Sequence, residues 1–454
     1  MTNTYQVNGK KVLVIGLARS GKSVAELLVT LGAQVTVNDR ADIDATTQQT
    51  LKEQGIQVVT GGHPLSLLDE SFDLVIKNPG IPYNVPLIER ILQLDIPLIT
   101  EIEFATSMLA APFIGITGSN GKTTTSELTA VILREAATEH QVILAGNIGV
   151  PLSNSVAEIS ANDEVVLELS SFQLQGSPTI HPHIAAITNI YSAHLDYHGT
   201  QAAYEAAKMN ITKNQTDQDY LIYNADLAGM REKVAAHTAA QLIPFSRREV
   251  VKTGVYIEND WVFFREEAIF PVAAIQLPGL HNRENVLVAT AIAKLRGVSN
   301  ETIEKAVAKF QGVKHRTQFV KEIAGRKYYN DSKATNTQAT IQALRGFPKS
   351  VVLIAGGLDR GNDMLELVPE FKAHVKKLVT FGQTAEKLAK IGEKAEVQEV
   401  ITCESVREAV QAATRISEAN DIILLSPANA SWDQYQTFEE RGDDFIEAVL
   451  SIEE

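Results

Sequence analysis

Short apolar runs rich in Val and Ile alternate along the chain with segments whose apolar residues recur at helical spacing. Runs of this kind begin at Val12, Leu74, Phe113, Val351 and Ile422. Strands that are buried on both faces of a parallel sheet give such continuous runs, and helices cover the sheet between them. The pattern therefore predicts an α/β fold.

The length of the chain and the points where the strand–helix rhythm restarts predict three domains. A chain of 454 residues exceeds the ~100–200 residues that form a single domain. The rhythm restarts near residue 100 and after Gly312, so we expect α/β domains over residues 1–100, 101–313 and 314–454. Around Asn259 apolar and polar residues alternate instead, which predicts an antiparallel hairpin within the central domain.

Composition and charge narrow the classes of function. The formal charge of −14 argues against a general nucleic-acid binder, and the single cysteine, Cys403, leaves no internal disulfide to form. No apolar run reaches the ~20 residues that a membrane-spanning helix needs. We therefore expect a cytoplasmic protein that binds neither nucleic acid nor membrane, and we also expect a monomer.

Two loops that contain glycine could bind a phosphate. Residues 16–23 satisfy the G-x-x-x-x-G-K-[ST] phosphate-loop expression literally. The same residues approximate the glycine turn of a nucleotide-binding β-α-β unit, with Ala18 in the place of the second glycine and Asp39 where such folds put a ribose-contacting acid. A turn of this kind also occurs where a strand and a helix simply pack tightly.

The second loop, residues 117–124, offers more specific chemistry for ATP, although Ile116 stands where the expression has its first glycine. It follows an apolar strand and opens a helix, so that backbone N–H groups could wrap phosphate oxygens, Lys122 could neutralise charge and Thr123 could ligate Mg²⁺. Glu168, at the end of a buried strand, supplies the carboxylate that a metal ion would need. The predicted ATP-binding residues of this loop are Gly118, Ser119, Asn120, Gly121, Lys122, Thr123 and Thr124.

Four polar residues beyond this loop are candidates for the chemistry: Asn147, Glu168, His194 and Lys208. Singly, each has an ordinary explanation, since a strand-end Glu is often solvated, a lone His often lies in a loop and a helical Lys usually faces water. Behind a phosphate loop, the set together indicates an ATP-dependent catalytic centre.

With these residues the chain resembles the Mur peptide ligases of bacterial cell-wall synthesis over nearly its whole length. The resemblance is carried by residues 117–124, 168–174, His315-Arg316, 330–336, 425–428 and Arg441-Gly442. It implies a Rossmann-like N-terminal domain for a uridine nucleotide, a central P-loop ATPase domain with a parallel sheet, and a Rossmann-like C-terminal domain that brings an amino acid. Residues 330–336 and 426–431 favour the subtype that adds D-glutamate, for which the partners would be UDP-N-acetylmuramoyl-L-alanine and D-glutamate.

The resemblance also implies a role for each matching residue. The catalytic residues would be Lys122, Asn147, His194 and Lys208. The ligands of Mg²⁺ would be Thr123, Glu168, His194 and a carbamylated Lys208. Beyond the phosphate loop, ATP would contact Asn282, Asn285, Arg316 and Asp331. UDP-N-acetylmuramoyl-L-alanine would contact Gly16, Ala18, Arg19, Ser20, Asp39, Arg40, Asn78 and Gly80. D-glutamate would contact Lys333, Thr335, Arg360, Ser431 and Phe438.

Two of these residues need a chemical explanation. Carbamylation turns the cation of Lys208 into a carboxylate-like oxygen ligand, which explains how a lysine could serve Mg²⁺. Arg360 stands where the family usually has lysine. A guanidinium can also pair with a carboxylate, and does so bidentately, but its reach differs from that of an ammonium.

The expected reaction begins when the carboxylate of the UDP-linked substrate attacks the γ phosphorus of ATP and forms an acyl phosphate. The amine of D-glutamate then attacks the acyl carbon, and an amide and phosphate result. Lys122 and Mg²⁺ would spread the negative charge of the two meeting anions. Three alternatives stay open: a sister ligase or folate-polyglutamating enzyme, a nicotinamide-dependent oxidoreductase built on residues 16–39, and a non-catalytic nucleotide switch.

Overall fold

The computed structural model describes residues 4–277, 279–347 and 349–452 of the chain. The chain divides into two compact units, one of residues 1–276 and 280–309 and the other of residues 277–279 and 310–454. Within the described ranges, the first unit holds two sheets and the second unit holds one. No helix in these ranges is long and apolar enough to cross a lipid bilayer.

The first sheet is parallel and has the strand order β3-β2-β1-β4-β5. Its strands and helices are β1 (Lys11–Ile15), α1 (Arg19–Thr30), β2 (Gln34–Asn38), α2 (Ala45–Glu53), β3 (Gln57–Val59), β4 (Leu74–Lys77), α3 (Pro86–Gln93), β5 (Leu98–Thr100) and α4 (Glu101–Thr106). The order reverses at β1, where Ile15 lies between Asn38 and Lys77. Open parallel sheets bind ligands beside such a reversal, at the carboxyl ends of the strands. The loops after β1, β2 and β4 therefore meet where a ligand is expected.

The second sheet has the order β14-β13-β12-β11-β10-β9-β6-β8-β7. Its first elements are β6 (Phe113–Thr117), α5 (Lys122–Ala136), β7 (Val142–Gly146), β8 (Glu164–Glu168), α6 (Ser171–Gln175), β9 (Ile184–Ile187), α7 (Leu195–His198), α8 (Gln201–Met209), β10 (Tyr220–Asn224), α9 (Met230–Ala235) and β11 (Gln241–Ser246). These strands pair in parallel. β6 is flanked by β8 and β9, so Ile116 lies beside Glu168, and Thr117 lies beside Ile187. The phosphate loop and Glu168 thus share the carboxyl edge of the sheet.

An antiparallel extension forms one margin of the second sheet. It consists of β12 (Val255–Glu258), β13 (Trp261–Phe264) and β14 (Glu267–Pro271), and the helices α10 (Leu280–Leu295) and α11 (Asn300–Lys309) follow. β14 is the edge strand. Its carbonyl at Ala268 accepts a hydrogen bond of 3.3 Å from the Asn300 side chain, which also donates to the Glu267 carboxylate at 2.9 Å. The side chain of Asn300, at the start of α11, therefore binds one main-chain acceptor of the edge strand.

The third sheet lies in the second unit and has the order β15-β16-β20-β17-β18-β19. Its elements are β15 (Gln318–Ile323), β16 (Arg326–Asn330), α12 (Thr337–Leu344), β17 (Val351–Gly356), α13 (Val368–His374), β18 (Val375–Phe381), α14 (Ala385–Lys394), β19 (Val400–Thr402), α15 (Val406–Ile416), β20 (Ile422–Leu425) and α16 (Phe438–Leu450). Leu425 lies between Asn330 and Ile354. The segments that follow β16, β17 and β20 consequently leave the same edge of the sheet.

The predicted α/β class with three domains is confirmed, and the hairpin expected around Asn259 is present as β12 and β13. The strands β6 and β8 are buried along their whole length, which is why the sequence shows them as continuous apolar runs. β15 and β16 pair antiparallel, so the third sheet is not wholly parallel. The domain boundaries at residues 100 and 313 stay predictions.

Candidate active site

The loop between β6 and α5 requires glycine at two positions. Gly118 has φ +152° and Gly121 has φ +82°, backbone conformations that side chains with a Cβ rarely adopt. A Cβ at Gly118 would overlap the Thr188 hydroxyl, and one at Gly121 would overlap the side-chain oxygen of Asn285. Both glycines therefore let the chain turn closely past neighbouring side chains, as a loop that surrounds a phosphate must.

Two residues directly after β9, Thr188 and Asn189, hold this loop, and neither was predicted from the sequence. The main-chain oxygen of Asn189 accepts from Ser119 N at 2.9 Å, and its side-chain oxygen accepts from Asn120 N at 2.9 Å. The Thr188 hydroxyl donates to the Asn120 carbonyl at 2.6 Å. Two backbone N–H groups predicted to wrap phosphate thus donate to Asn189 here. Polar residues directly after a buried strand were the available signal, but the pairing of β9 with β6 was needed to interpret it.

Two lysines converge on one carbonyl oxygen of the loop. Lys122 Nζ donates to the Gly118 oxygen at 2.9 Å and to the Ser119 oxygen at 3.1 Å. Lys208 Nζ donates to the same Gly118 oxygen at 2.7 Å. Lys208 lies on α8, is 2% exposed, and has its ammonium 4.8 Å from the centre of the Tyr204 ring. The structure thus brings two predicted catalytic lysines together at the phosphate loop.

The surroundings of Lys208 favour its neutral form. Burial and the charge of Lys122 together lower the pKa of Lys208 to about 6, against the opposing effect of the Glu168 carboxylate. Burial is the largest cause, because the free energy lost when an ammonium leaves water exceeds the free energy of interaction with a single neighbouring charge. At neutral pH the side chain is therefore chiefly an uncharged amine.

Glu168 ends β8 and is 1% exposed. Its Oε1 accepts a hydrogen bond of 2.7 Å from the Asn147 side chain, whereas Oε2 is buried and has no hydrogen-bond partner among the described residues. A buried carboxylate oxygen without a partner is costly, and a cation would satisfy it. The structure thus joins Asn147 with Glu168 and leaves an oxygen suited to Mg²⁺.

A metal ion at Glu168 would need ligands of other kinds as well. Across the described part of the chain, no group of three or more His, Cys, Asp or Glu side chains is arranged to hold a metal ion. Phosphate oxygens, the Thr123 hydroxyl and a carbamylated lysine are ligands outside that group of side chains, and all suit Mg²⁺. These ligands suit a magnesium ion whose coordination is completed by the phosphate oxygens of a nucleotide.

His194 precedes α7 and adopts φ 54°, a left-handed conformation. Its ring meets the Phe172 ring edge to face at 5.0 Å, and Phe172 also meets the Tyr197 ring at 4.5 Å. Phe172 is placed by α6, which starts with a capping box between Ser170 and Gln173. The chain that leaves β8 after Glu168 therefore also positions His194.

The predicted adenine contacts lie beside the start of α5. Asn285 Nδ2 donates to Asn282 Oδ1 at 3.0 Å, and the Thr125 hydroxyl donates to Asn285 Oδ1 at 3.3 Å. The second of these bonds joins α5 to α10. The structure thus brings Asn282 and Asn285 to the phosphate loop from a distant part of the sequence.

The predicted contacts of the UDP-linked substrate gather at the carboxyl edge of the first sheet. The Asp39 carboxylate accepts from Leu17 N at 2.6 Å and from Ala41 N at 2.9 Å. Asn78 Nδ2 donates to the Ser20 hydroxyl at 3.3 Å, and Asn78 Oδ1 accepts from Gly80 N at 3.1 Å. The predicted contacts that form these hydrogen bonds, or lie next to residues that form them, are Gly16, Ala18, Arg19, Ser20, Asp39, Arg40, Asn78 and Gly80. Asp39 therefore shapes the glycine turn directly.

In the second unit, Asp331 follows β16 and is buried. Its carboxylate accepts from Thr317 N at 3.0 Å and from the Ser426 hydroxyl at 2.8 Å. Burial raises the pKa of Asp331 to about 6, although these hydrogen bonds and the charge of Arg316 act in the opposite direction. The Nε atom of Arg316 is buried without a hydrogen-bond partner among the described residues.

Three of the predicted D-glutamate residues, Lys333, Thr335 and Phe438, lie after β16 or at the start of α16. Lys333 Nζ lies 5.6 Å from the centre of the Phe438 ring, and its carbonyl accepts from Thr335 N at 2.9 Å. Ser431 is 1% exposed. Arg360 lies instead over the Trp432 ring, at 5.0 Å from its centre. This role of Trp432 was not predicted, because no sequence pattern singles the residue out.

Arg441 holds the backbone near Lys333 and Phe438 in place through hydrogen bonds. It is fully buried, and its guanidinium donates to the Ser332 hydroxyl at 3.0 Å and to the Ser332 carbonyl at 2.9 Å. The Ser332 hydroxyl in turn donates to the Phe438 carbonyl at 2.8 Å. Two segments that contain predicted D-glutamate contacts, the loop after β16 and the start of α16, are thereby held in one arrangement.

Comparison with protein families gives matches along most of the chain. The Mur ligase MurD-like N-terminal domain matches residues 10–100, the Mur ligase middle domain matches residues 116–293, and the Mur ligase glutamate ligase domain matches residues 315–429.

Similar proteins extend over the full length. A UDP-N-acetylmuramoylalanine--D-glutamate ligase of Lactiplantibacillus plantarum is 50% identical over 453 residues, which cover 100% of this chain and 98% of that protein. The ligase of the same name from Listeria innocua is 52% identical, with 98% of this chain and 97% of that protein covered. Among solved structures, the UDP-N-acetylmuramate-alanine ligase MurC of Thermotoga maritima gives a TM-score of 0.57 at 18% identity, with 97% of this chain and 99% of that chain covered. At that identity the likeness concerns the fold.

Proposed function

Because the chain belongs to the Mur ligase family, we propose that it joins D-glutamate to UDP-N-acetylmuramoyl-L-alanine in an ATP-dependent step of peptidoglycan precursor synthesis. The observation that carries this function is the full-length similarity to D-glutamate ligases, at 50% identity or above in the two relatives described. The arrangement of Lys122, Lys208 and Glu168 around the phosphate loop supplies the chemistry.

ATP binds through the loop of residues 118–124 and through Asn282 and Asn285, with further contacts from Arg316 and Asp331. Support comes from the glycine backbone of the loop and from the hydrogen bonds that join Asn285 to Asn282 and to Thr125. Thr123 and Glu168 hold Mg²⁺, and the unpartnered Glu168 oxygen supports that role. When bound, Mg²⁺ neutralises charge that develops on the transferred phosphoryl group.

The first step joins two anions. The substrate carboxylate attacks the γ phosphorus, a P–O bond to ADP breaks, and an acyl phosphate forms. Lys122 reduces the repulsion between carboxylate and phosphate because its ammonium lies at the loop. Asn147 and His194 orient the carboxylate. The hydrogen bond from Asn147 to Glu168 and the contact of His194 with Phe172 support a fixed position for both side chains.

The second step forms the amide. The neutral amine of D-glutamate attacks the acyl carbon, a proton leaves the nitrogen, and phosphate departs from the tetrahedral intermediate. Lys333, Thr335, Arg360, Ser431 and Phe438 bind D-glutamate. The support for this assignment is the hydrogen-bonded framework of Arg441 and Ser332 behind those segments.

Lys208 is carbamylated in the active protein and then serves Mg²⁺ through carbamate oxygens. A neutral amine is needed to add CO₂, and the burial of Lys208 supports this form. The modification would also place a negative charge beside Lys122 where a neutral amine stood. The reaction takes place in the cytoplasm, where ATP is available, and the active species is a monomer.

A reconstituted reaction tests the function. We expect the protein with ATP and Mg²⁺ to release phosphate only when both UDP-N-acetylmuramoyl-L-alanine and D-glutamate are present, with a product heavier by one glutamyl residue. L-glutamate and other amino acids in place of D-glutamate are the matched controls, and they also test for a sister ligase. Phosphate release that is indifferent to D-glutamate, or equal with L-glutamate, would contradict the proposal.

A further inference from the structure

Lys77 is a buried cation whose acceptors are main-chain oxygens. It ends β4 and is 1% exposed. Its Nζ lies 3.3 Å from the carbonyl oxygen of Asn78, 3.2 Å from that of Pro79 and 2.9 Å from that of Ile81. The ammonium therefore binds three carbonyls of the segment 78–81, which includes two predicted contacts of the UDP-linked substrate.

Tyr197 reaches the same carbonyls from the central domain. Its hydroxyl donates to the oxygen of Pro79 at 3.1 Å and to that of Ile81 at 3.2 Å, and it lies 3.4 Å from Lys77 Nζ. Tyr197 belongs to α7, the helix that begins directly after His194. The loop after β4 is thus tied to the helix next to a predicted catalytic residue.

The aromatic side chain of Phe172 links Tyr197 to His194. Phe172 contacts the ring of Tyr197 at 4.5 Å and the ring of His194 at 5.0 Å, both edge to face. A shift of Tyr197 would therefore move the surface against which the His194 ring rests. Lys77, Tyr197 and Phe172 form a continuous set of contacts from the first sheet to the second.

We propose that Lys77 and Tyr197 are a positioning pair that fixes residues 78–81 against α7, so that the UDP-linked substrate presents its carboxylate at His194. This role rests on the proposed function. The pair does not touch the reacting atoms and acts through the loop and through Phe172. Carbonyl oxygens bonded from two directions cannot easily turn, which keeps the loop in one conformation before the substrate arrives.

Burying the ammonium of Lys77 costs free energy. Burial lowers the pKa of Lys77 to about 7, which reflects the cost of removing the charge from water. An apolar side chain of similar length would fit the same space without that cost, and replacing buried charges by apolar groups is often neutral or stabilising. A lysine that only supported the fold would therefore be dispensable for substrate binding.

Lys77→Met and Tyr197→Phe test the pair in the full-length protein. Each variant should raise the KM for UDP-N-acetylmuramoyl-L-alanine by about tenfold, the effect of losing one or two hydrogen bonds to a site, while the KM values for ATP and D-glutamate stay unchanged. Lys77→Met should unfold at the same temperature as the wild type or higher. Because both side chains act on the same carbonyls, the double variant should lose less than the product of the two single effects.

The controls remove similar groups from the second unit. Lys377→Met deletes an ammonium that donates to the Ile416 carbonyl at 2.7 Å, and Tyr328→Phe deletes a buried hydroxyl that contacts Thr414. Neither should change the KM for the UDP-linked substrate.

Titration calorimetry with UDP-N-acetylmuramoyl-L-alanine, without ATP, separates the possible failures. Variants that bind it as tightly as the wild type would overturn the positioning role alone. A general rise of all three KM values together with a lower unfolding temperature would show a merely structural role and would also overturn it. A wild-type protein that binds none of this substrate would overturn the proposed function, and the pair with it.

Discussion

Replacing Glu168 by Gln should make the metal-free protein slightly more stable and should remove its response to Mg²⁺. The carboxylate is 1% exposed, and one oxygen has no hydrogen-bond partner among the described residues. An unmade hydrogen bond at a buried polar group costs ~1–3 kcal/mol, more when the group is charged. Gln keeps the bond with Asn147 and replaces the unpartnered charged oxygen by a neutral amide nitrogen. The net gain should be about 1 kcal/mol.

The response to Mg²⁺ gives the larger signal. With ADP present and Mg²⁺ at ten times its dissociation constant, binding should stabilise the wild type by about 1.4 kcal/mol. For the first unit, with about 300 residues and an unfolding entropy of ~2.1 cal/mol/K per residue, that corresponds to a rise of about 2 °C in the unfolding temperature. In Glu168→Gln the rise should be below about 1 °C, since the variant lacks the charged ligand. Its kcat should fall by at least about 100-fold, because transition-state charge is no longer balanced.

Differential scanning calorimetry with ADP, in EDTA and then in Mg²⁺, measures both effects. Glu164→Gln is the matched control because Glu164 lies at the opposite end of β8 and pairs with Arg296 at 2.6 Å. That control should lose some stability and keep the full response to Mg²⁺. If Glu168→Gln responds to Mg²⁺ as strongly as the wild type, Glu168 does not hold the ion.

Three further predictions concern other parts of the site. Lys208→Ala should lose activity, and short carboxylic acids that replace the carbamate should restore part of it; unchanged turnover would remove Lys208 from the mechanism. Gly121→Ala should raise the KM for ATP at least about tenfold, because its Cβ would overlap Asn285, whereas Gly297→Ala, with a similar φ of +77° but open space, should leave KM unchanged. Burial raises the pKa of Asp331 from 3.8 to about 6, so folding retains a proton there that the unfolded chain has lost. Its stabilising effect is complete below about pH 4 and disappears as pH rises through about 6, and Asp331→Asn should flatten the unfolding temperature across that range; an equally steep curve in the variant would contradict this.

The sequence predicted the strands that are buried on both faces, because burial on both faces demands an uninterrupted apolar run. β6, β8, β17 and β20 are of this kind. β15 was not predicted, since its sequence QFVKEI mixes charged with apolar residues and its six positions are mostly half-buried. A strand at the edge of a sheet keeps contact with water, so its composition carries less information.

The same distinction applies to the site. The phosphate loop is continuous in sequence, so its glycines, Lys122 and Thr123 could be named from local pattern. Asn189 and Tyr197 could not, because their importance depends on which strand lies beside β6 and on which helix meets the loop after β4. Such contacts follow from topology, and topology is set by many weak preferences along the chain rather than by one motif.

The outer strand of the second sheet has a consequence for handling the protein in concentrated solution. A bare strand edge offers its unpaired main-chain groups to any other extended chain and so promotes aggregation. Here the Asn300 side chain already occupies the Ala268 carbonyl, and the strand ends at a proline, which has no N–H to offer. Cutting that hydrogen bond by Asn300→Ala should leave catalysis intact and make refolding more prone to precipitation.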